Sequence, residues 1–376
     1  MQVKIERERL LKAVGRTLGV VERRGSLAIL SHFLLETREE GVAVAATDLE
    51  VSFKGYYPAE VVEPGALTLP AHYFFNLIKE LPGDTLDLSS TGASNLKVQV
   101  GAATYQLLGL PADQFPNLPD ATGLELVPVA SRTLREMIDK TIFSVSADDL
   151  QYHLSGIFWE REEKPEGYHL RLVSTDGHRL TLIERPLPES EHFAIAEGIL
   201  IPRKGVAEIS RLLAEEEQVG LGLTKKSLAL QADNKYLFIR LLEKKFPDYR
   251  RIIPETFAYR FAFARQELFD IIRRISLLST ERFRGIILTF HPDKLEAAFH
   301  NPEVGEGREE IGLTLEQGDP EALPLQIGFN ARYFLEPLAQ MGSDTVYLEL
   351  NDQDRPCRLR PADDPHYFGI IMPMSL

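Results

Sequence analysis

Three segments of the chain place apolar residues at helical spacing, with basic residues between them. The apolar positions are Leu10, Leu11, Val14 and Leu18 in the first segment, Leu134, Met137, Ile138 and Ile142 in the second, and Leu268, Ile271, Ile272 and Ile275 in the third. The third set lies at relative positions 0, 3, 4 and 7, which share one helical face. Ser131 is placed to cap the second helix. The pattern therefore predicts three amphipathic helices.

Two further features follow each of these helices in the same order. A strand ends in a polar turn, and a second strand then leads into a second helix. The turns are Thr47-Asp48, Thr175-Asp176 and His300-Asn301, and the second strands end at Leu69-Pro70, Ile201-Pro202 and Ile327–Asn330. Thr175 follows Thr47 by 128 residues and Asn301 follows Thr175 by 126. The strand ends Leu69, Ile201 and Ile327 are 132 and 126 residues apart. This spacing predicts three tandem copies of one unit.

Each copy is predicted to be an α+β domain with two helices on one side of an antiparallel sheet, because short alternating runs such as Leu96–Val100 separate the helices. Clusters of Pro, Gly and polar residues near Pro119–Gly123 and Pro254–Ala258 indicate domains at 1–122, 123–254 and 255–376. The predicted helices span residues 6–20, 70–80, 131–140, 202–217, 265–274 and 330–340.

Charge and cysteine content narrow the possible functions. A net charge of −14 argues against strong phosphate binding, yet the six predicted helices together carry +3. If these helices line a common hole, a DNA duplex is tolerated inside an acidic shell. The single cysteine, Cys357, cannot form an internal disulfide. No apolar run reaches the ~18 residues of a membrane span, and the charged N-terminus lacks a signal-peptide core, so we expect a cytoplasmic protein.

The segment Thr175–Leu180 invites a catalytic interpretation, since Asp176 and His178 are acid–base residue types. No nucleophile, metal-ligand spacing or phosphate loop accompanies them, so we expect no catalytic residue, no metal and no cofactor. Gly177 is predicted in a turn with positive φ, with His178 and Arg179 lining a surface.

Two further segments have two interpretations each. Phe246–Pro254 mixes aromatic, proline and arginine residues, as a cleft for an extended peptide would, and it is also placed to link the second and third domains. The apolar C-terminus, Phe368–Leu376, is either a final core strand or a surface that accommodates several partners through its methionines.

Together these segments resemble the β subunit of bacterial replicative DNA polymerase, the sliding clamp. The resemblance runs from end to end, and its motifs are Thr47–Glu50, Leu110–Asn117, Thr175–Leu180, Ile201–Gly205, Phe246–Arg251, Phe283–Gly285 and Met372–Met374. Each motif alone is weak, but their combination is specific. The resemblance implies a ring-shaped, head-to-tail homodimer of three-domain subunits.

The resemblance also implies a non-catalytic function. The ring would encircle duplex DNA without sequence specificity and make the replicative polymerase processive. The implied partners are the DNA polymerase III alpha subunit, the clamp loader, and other clamp-binding repair polymerases and ligase. No membrane partner is expected.

The resemblance further implies three sets of functional residues. A pocket for partner peptides between the second and third domains is implied at Leu154, Thr175, Gly177, His178, Arg179, Leu180, Pro247, Arg251, Ile252, Ile370, Ile371, Met372, Pro373, Met374 and Leu376. DNA contacts are implied at Arg24 and Tyr152. Apolar subunit contacts are implied at Tyr105 and Leu107 in the first domain, against Leu277 and Leu278 in the third.

The chain departs from the family pattern at several of these places. Ser375 replaces a usual basic residue beside the pocket, and His153 replaces a frequent second tyrosine near the DNA. Residues Gly101–Thr104 lack the arginines that some members use in intersubunit ion pairs, whereas the acidic residues of the opposite side remain. Those acidic residues are Glu303, Glu306, Glu309 and Glu310. We therefore expect a dimer that depends mainly on apolar contacts.

Two other functions compete with this interpretation. One is a tandem-domain protein-interaction scaffold that does not act on DNA, which would not be retained on circular DNA. The other is a hydrolase that uses His178, whose turnover would be lost in a His178→Ala variant.

Overall fold

The computed structural model describes residues 1–23, 25, 27–92, 94–120, 123–187, 195, 198–279 and 285–374. The chain forms two compact units. The first consists mainly of Met1–Leu134 and Lys204–Leu241, and the second of Arg135–Ser190, Ile195–Arg203 and Leu242–Leu376. This division does not test the predicted domain limits, which stay predictions.

The six predicted helices are all present. They are α1 (Arg7–Thr17), α2 (Ala71–Glu80), α3 (Ser131–Asp139), α4 (Arg203–Leu213), α5 (Arg265–Ser276) and α6 (Arg332–Gln340). The predicted apolar face of α5, from Leu268 to Ile275, is buried. The predicted cap at Ser131 is wrong, because α3 already begins at Ser131 and the Ser131 hydroxyl has no hydrogen-bond partner. None of the described helices combines the length and the apolar character that a membrane crossing requires.

The first unit contains two antiparallel sheets. The five-stranded sheet has the order β5 (Glu60–Glu63), β1 (Gln2–Glu6), β7 (Thr85–Thr91), β8 (Asn95–Val100), β9 (Ala103–Leu107). The nine-stranded sheet has the order β10 (Leu110–Pro111), β6 (Ala66–Pro70), β2 (His32–Arg38), β3 (Gly41–Thr47), β4 (Val51–Pro58), β18 (Lys235–Arg240), β17 (Ser227–Ala232), β16 (Gln218–Leu223), β11 (Val127–Ala130).

The second unit also contains two antiparallel sheets. Its nine-stranded sheet has the order β15 (Ile199–Pro202), β12 (Gly156–Lys164), β13 (Gly167–Thr175), β14 (Arg179–Pro186), β27 (Tyr367–Ile371), β26 (Cys357–Pro361), β25 (Thr345–Leu350), β19 (Tyr259–Ala264), β23 (Thr314–Gln317). Its four-stranded sheet has the order β22 (Gly305–Gly312), β21 (Lys294–Asn301), β20 (Gly285–Phe290), β24 (Leu325–Asn330).

The first and third helix pairs each contact two sheets, which goes beyond the single sheet that the sequence predicted. Helix α1 packs on α2, on β1 of the five-stranded sheet, and on β3 and β4 of the nine-stranded sheet. Helix α5 packs on α6, on β19 of one sheet, and on β21 and β22 of the other. The apolar helix faces are therefore buried between layers, and the α+β class predicted from the sequence is confirmed.

Both nine-stranded sheets cross the borders between repeats. Strand β4 of the first repeat pairs with β18 of the second, where Ser52 is opposite Phe238. Strand β14 of the second repeat pairs with β27 of the third, where Leu180 is opposite Ile370. The central repeat thus supplies strands to both large sheets.

Candidate functional site

The turn between β13 and β14 is shaped by its own side chains. Gly177 has a φ of 87°, the left-handed conformation that the sequence predicted. The Thr175 hydroxyl donates to the Arg179 carbonyl at 2.6 Å and accepts from the Gly177 N–H at 3.1 Å. The Asp176 carboxylate accepts from the N–H groups of His178 and Arg179 at 3.0 and 3.1 Å. Gly177 and His178 are left exposed at its tip.

The first repeat carries the same turn between β3 and β4. The Thr47 hydroxyl donates to the Val51 carbonyl at 3.1 Å and accepts from the Leu49 N–H at 3.0 Å. The Asp48 carboxylate accepts from the N–H groups of Glu50 and Val51 at 2.9 and 2.7 Å. Leu49 stands where the second repeat has Gly177, and its φ is 75°. The repeat therefore extends to individual hydrogen bonds.

Arg179 is only 5% exposed, so the prediction that it lines the surface is wrong. Its Nε donates to Asp176 at 3.0 Å, its Nη1 to Glu336 and its Nη2 to the Phe143 carbonyl. The guanidinium carbon also lies 4.7 Å from the centroid of the Tyr333 ring. Every nitrogen of the guanidinium is thus engaged within the chain. Arg179 therefore positions the turn, and its charge is already balanced by the carboxylates of Asp176 and Glu336.

A hydrophobic cluster lies beneath this turn and joins several of the predicted pocket residues. Its buried members are Leu154, Val173, Leu180, Leu182, Leu200, Phe246, Tyr249 and Ile370. Three of the predicted pocket residues, Leu154, Leu180 and Ile370, therefore form a continuous apolar floor. Thr175 is also buried, at 3% exposure, because its hydroxyl is used inside the turn.

The last strand of the chain runs beside the turn. Arg179 is opposite Ile371 and Leu180 is opposite Ile370 in the pairing of β14 with β27. Ile370 and Ile371 are 0% and 1% exposed. For these two residues the core-strand interpretation holds, and a ligand can reach them only through the side chains above.

The chain leaves the core directly after β27. The Met372 N–H donates to the His178 carbonyl at 3.0 Å, and the Met374 N–H donates to the Gly328 carbonyl at 2.8 Å. Met372 and Pro373 are half-buried, and Met374 is 43% exposed. The methionines therefore border the turn with accessible apolar surface. Leu376 and Ser375 lie outside the described residues.

The segment after β18 supplies a further border. Phe246 and Tyr249 are anchored in the hydrophobic cluster, with Pro247 half-buried between them. Ile252 is 38% exposed, and the exposed Arg251 pairs with Asp248 at 2.8 Å. We call the surface formed by Gly177, His178, Pro247, Ile252 and Met372–Met374, above its apolar floor, the peptide cleft.

Of the two residues implied to contact DNA, Tyr152 is among the described residues and Arg24 is not. Tyr152 lies in a short 3-10 segment, Asp149–Leu154, and is 46% exposed beside Leu150, which is 92% exposed. The same segment ends at Leu154, whose side chain is in the apolar floor. Arg24 lies outside the described residues, as do Phe283 and Arg284 of one family motif.

The residues implied at the subunit contact lie on or beside two sheet edges. Strand β9 is an edge of the five-stranded sheet, and its Tyr105 is 42% exposed while Leu107 is half-buried. Strand β22 is an edge of the four-stranded sheet. Leu277 is 76% exposed where α5 ends, and the half-buried Leu278 approaches Gly307 of β22. Such edges offer unpaired backbone groups to another chain.

Two of the acidic residues near this edge already have partners within the chain. Arg274 donates to Glu309 at 2.7 Å, and Lys294 donates to Glu310 at 2.9 Å. These pairs reduce the negative charge that β22 presents. Less charge therefore remains on β22 for a partner chain to neutralise.

Comparison with known proteins places the whole chain in one family. The domain models of the DNA polymerase III beta subunit match residues 1–119 (N-terminal domain), 128–248 (central domain) and 250–375 (C-terminal domain). The chain is 34% identical to the beta sliding clamp of Pseudomonas putida and 33% identical to that of Pseudomonas aeruginosa, each over 100% of both chains. The sliding clamp structure of Caulobacter crescentus superposes with a TM-score of 0.93 at 31% identity, over 100% of both chains.

The chain belongs to the bacterial beta sliding clamp family.

This clamp is a processivity factor for DNA polymerase III and has no catalytic role. Its family encircles DNA, forms homodimers and binds polymerases. The Asp176 carboxylate, which could have suggested acid–base chemistry, is occupied by the turn N–H groups and by Arg179. Within the described ranges, no group of His, Cys, Asp and Glu side chains is placed to hold a metal ion.

The helices of the clamp are more basic than the sequence suggested. With the observed bounds they contain fourteen basic and eight acidic residues, a net charge of +6. The predicted spans gave +3 because they also included the four acidic residues Glu6 and Glu215–Glu217 and the basic Lys140, all of which lie outside the helices. The charge contrast between helices and the remaining chain is therefore larger than expected.

Proposed function

We propose that two copies of this clamp close head to tail around duplex DNA and hold DNA polymerase III on its template in the cytoplasm. The full-length match to the beta sliding clamps carries the proposal. The charge pattern supports it, since the helices carry +6 in a chain whose net charge is −14. Basic helices that face the duplex would attract DNA to the inside of the ring, and an acidic surface elsewhere would repel DNA from the outside.

The DNA is held mainly by topology. Firm non-specific binding needs many Lys and Arg contacts with phosphates, and a net charge of +6 shared by six helices supplies few of them. Several of these side chains also have carboxylate partners already, such as Arg16 with Glu215 at 2.7 Å. Arg24 and the exposed Tyr152 make weak direct contacts with DNA, which assist loading more than retention.

The dimer contact joins β9 of one chain to β22 of the other. Tyr105 and Leu107 then meet Leu277 and Leu278, all of which have accessible apolar surface. Because Glu309 and Glu310 are paired within their own chain, and β9 carries no charged residue, little of the contact is electrostatic. Association of the two chains is expected to change little between low and moderate salt.

The peptide cleft binds short peptides that contain a glutamine and end in leucine and an aromatic residue. Its accessible apolar groups and its exposed backbone at Gly177 suit an extended peptide. The partners are the DNA polymerase III alpha subunit, the clamp loader, and the repair polymerases and ligase that carry such peptides. One cleft on each chain gives the ring two attachment points.

Retention on circular and on linear DNA tests the ring mechanism. The labelled clamp is loaded onto a nicked circle by a cognate clamp-loading ATPase and passed over a gel-filtration column at high salt. We expect the clamp to stay with the circle and to leave once the circle is cut, because a ring slides off a free end. Arg24→Ala should lower the amount loaded while leaving the lifetime on the closed circle unchanged. Equal retention on both DNA forms would show contact binding and refute the ring.

A further inference from the structure

A groove of about 730 Å³ lies on one face of the nine-stranded sheet of the first unit. The segment Ala112–Asp120 forms one wall, and strands β2, β3, β4, β17 and β18 form the base. Aromatic residues line it at Tyr56, Phe115, Tyr236 and Phe238, and small residues lie at its base at Ala43 and Ala45. Pockets that bind small ligands are typically about 300–1,000 Å³.

Strand register identifies the equivalent place in the second unit. In the first unit Leu34 is opposite Ala45 and Glu36 is opposite Ala43. In the second unit Phe158 is opposite Val173 and Glu160 is opposite Arg171. The residues at the base of the groove therefore correspond, pair by pair, to residues that surround Tyr249.

The segments that cross these two places also match. Phe115-Pro116-Asn117-Leu118 in the first unit corresponds to Phe246-Pro247-Asp248-Tyr249 in the second. Phe115 and Phe246 are both buried, at 8% and 6% exposure. The internal repeat thus includes the connecting segments and sets Leu118 where the second unit has Tyr249.

The second unit fills this place with its own tyrosine. Tyr249 is 2% exposed; its hydroxyl donates to Glu160 and accepts from Arg171 at 2.8 Å. Phe246 stacks beside it on Phe158 with ring centroids 4.9 Å apart. A phenol ring with hydrogen bonds at its end is therefore the group that this sheet face accommodates.

The first unit lacks the two side chains that fill the second. Leu118 replaces Tyr249 and Ala43 replaces Arg171, so the phenol of Tyr249 and the guanidinium that bonds to it have no equivalent at these two positions. Glu36 remains at the position of Glu160 and, like Glu160, already accepts from an arginine, here Arg38 at 2.5 Å. Lys54 also lines the groove, with its Nζ 5.4 Å from the centroid of the Tyr56 ring. Among the described residues, no carboxylate lies within ion-pair distance of Lys54.

We propose that this groove, which we call the tyrosine groove, binds an extended peptide from a partner protein. The peptide inserts a tyrosine into the space that Leu118, which is shorter than Tyr249, leaves open, and the hydroxyl of that tyrosine donates to Glu36 beside Arg38. An acidic residue next to that tyrosine pairs with Lys54, which offers a positive charge without a carboxylate partner. The tyrosine groove and the peptide cleft share no residues, so one clamp chain can hold two different peptides.

Binding is tested with the probe peptide acetyl-Pro-Asp-Tyr-Asp-amide and the full-length clamp. The methyl groups of Ala43 and Ala45 are followed by NMR of methyl-labelled protein during titration. We expect saturable shifts with a Kd of about 0.1–1 mM, typical of one anchored side chain in a short peptide. Replacing the tyrosine of the probe by alanine should weaken binding at least about tenfold, since an aromatic anchor carries most of the affinity.

Substitutions in the clamp locate the bound peptide. Leu118→Tyr supplies the missing ring from within the chain and should weaken binding at least about tenfold. Val62→Tyr, at a 56% exposed position on β5, is the matched control and should bind as the wild type does. Lys54→Gln should weaken binding of the acidic probe but should not change binding of a probe that has asparagine in place of aspartate. This variant tests the role of the charge even if Leu118→Tyr fails to fold.

Three results would refute the proposal that the tyrosine groove binds such a peptide. They are an absence of shifts at about 5 mM probe, equal affinity for the Leu118→Tyr and wild-type clamps, and loss of binding when Met372–Leu376 is deleted. The last result would place the probe in the peptide cleft. None of these results depends on whether the clamp is retained on circular DNA, so the ring mechanism is tested separately.

Discussion

Replacing Glu336 with leucine tests how the turn of the peptide cleft is held in place. Arg179 is 5% exposed, and Glu336→Leu leaves its Nη1 without an acceptor. Breaking a fully buried ion pair from one side costs about 3–5 kcal/mol. Here the Glu336 side chain is 26% exposed and Asp176 stays bonded to the guanidinium, so part of that cost is offset. We expect a loss of about 1.5–3 kcal/mol, the range for a hydrogen bond to a charged group.

Arg332 provides a matched control because it forms the other ion pair of Glu336. Its Nε lies 2.9 Å from the Glu336 carboxylate, one helical turn away on α6, and its side chain is 65% exposed. Exposed pairs at this spacing contribute about 0.3–0.5 kcal/mol. Arg332→Ala should therefore cost no more than about 0.5 kcal/mol. A large difference between the two variants would assign the effect to the buried arginine.

Amide hydrogen exchange measures the effect at the turn itself. The N–H groups of His178 and Arg179 both donate to Asp176, and they exchange only when the turn opens. In Glu336→Leu we expect them to exchange about 10- to 150-fold faster than in the wild type, the factor that 1.5–3 kcal/mol represents. Arg332→Ala should change these rates about twofold or less. Equal rates in Glu336→Leu and the wild type would refute the idea that Glu336 holds the turn through Arg179.

Three other changes test the remaining assignments. Changing Leu277 and Leu278 together to aspartate should yield monomers by native mass spectrometry, because burying unpaired charge costs several kcal/mol; dimers at low micromolar concentration would place the contact elsewhere. Deleting Met372–Leu376 should abolish peptide binding measured by fluorescence anisotropy and leave the protein dimeric, and a persisting affinity would show that the cleft is misassigned. Burial raises the pKa of Glu349, but hydrogen bonds from Arg358 and neighbouring arginines outweigh it and hold the pKa below its ordinary value. The stability from Glu349 is therefore fully present above the ordinary carboxyl pKa of 4.5 and is lost as the pH falls through the lower folded pKa. Glu349→Gln should make urea unfolding less dependent on pH below about 5, and parallel pH profiles for variant and wild type would contradict this.

The helices could be predicted because their apolar faces follow a strict period. Leu268, Ile271, Ile272 and Ile275 are buried together in α5, as their spacing requires. Helix ends were less certain, since α4 stops at Leu213 whereas the predicted helix continued through the acidic run to residue 217. Helix period marks the face that is buried but does not mark where tertiary contacts end.

Local turn chemistry was predictable, but long-range partners were not. Gly177 adopts positive φ because the turn requires it, and a glycine after Thr-Asp signals this directly. The burial of Arg179 depends on Glu336, which lies 157 residues further along the chain. The tyrosine groove likewise exists because Ala43 and Leu118 are smaller than their counterparts in the second unit, Arg171 and Tyr249. Only the strand register and the matching segments of the structure show that these positions are equivalent. Missing side chains leave no pattern in a sequence.

The strand pairing across repeat borders has a consequence for fragments of the chain. Five residue pairs join β4 to β18, and five join β14 to β27. A protease that cut the chain between repeats would therefore sever the peptide bond without separating the sheets. Conversely, a gene that encoded one repeat alone would produce a polypeptide with a bare sheet edge, which favours self-association. Repeats that already adhere edge to edge can be fused into one chain without a new interface having to evolve between them.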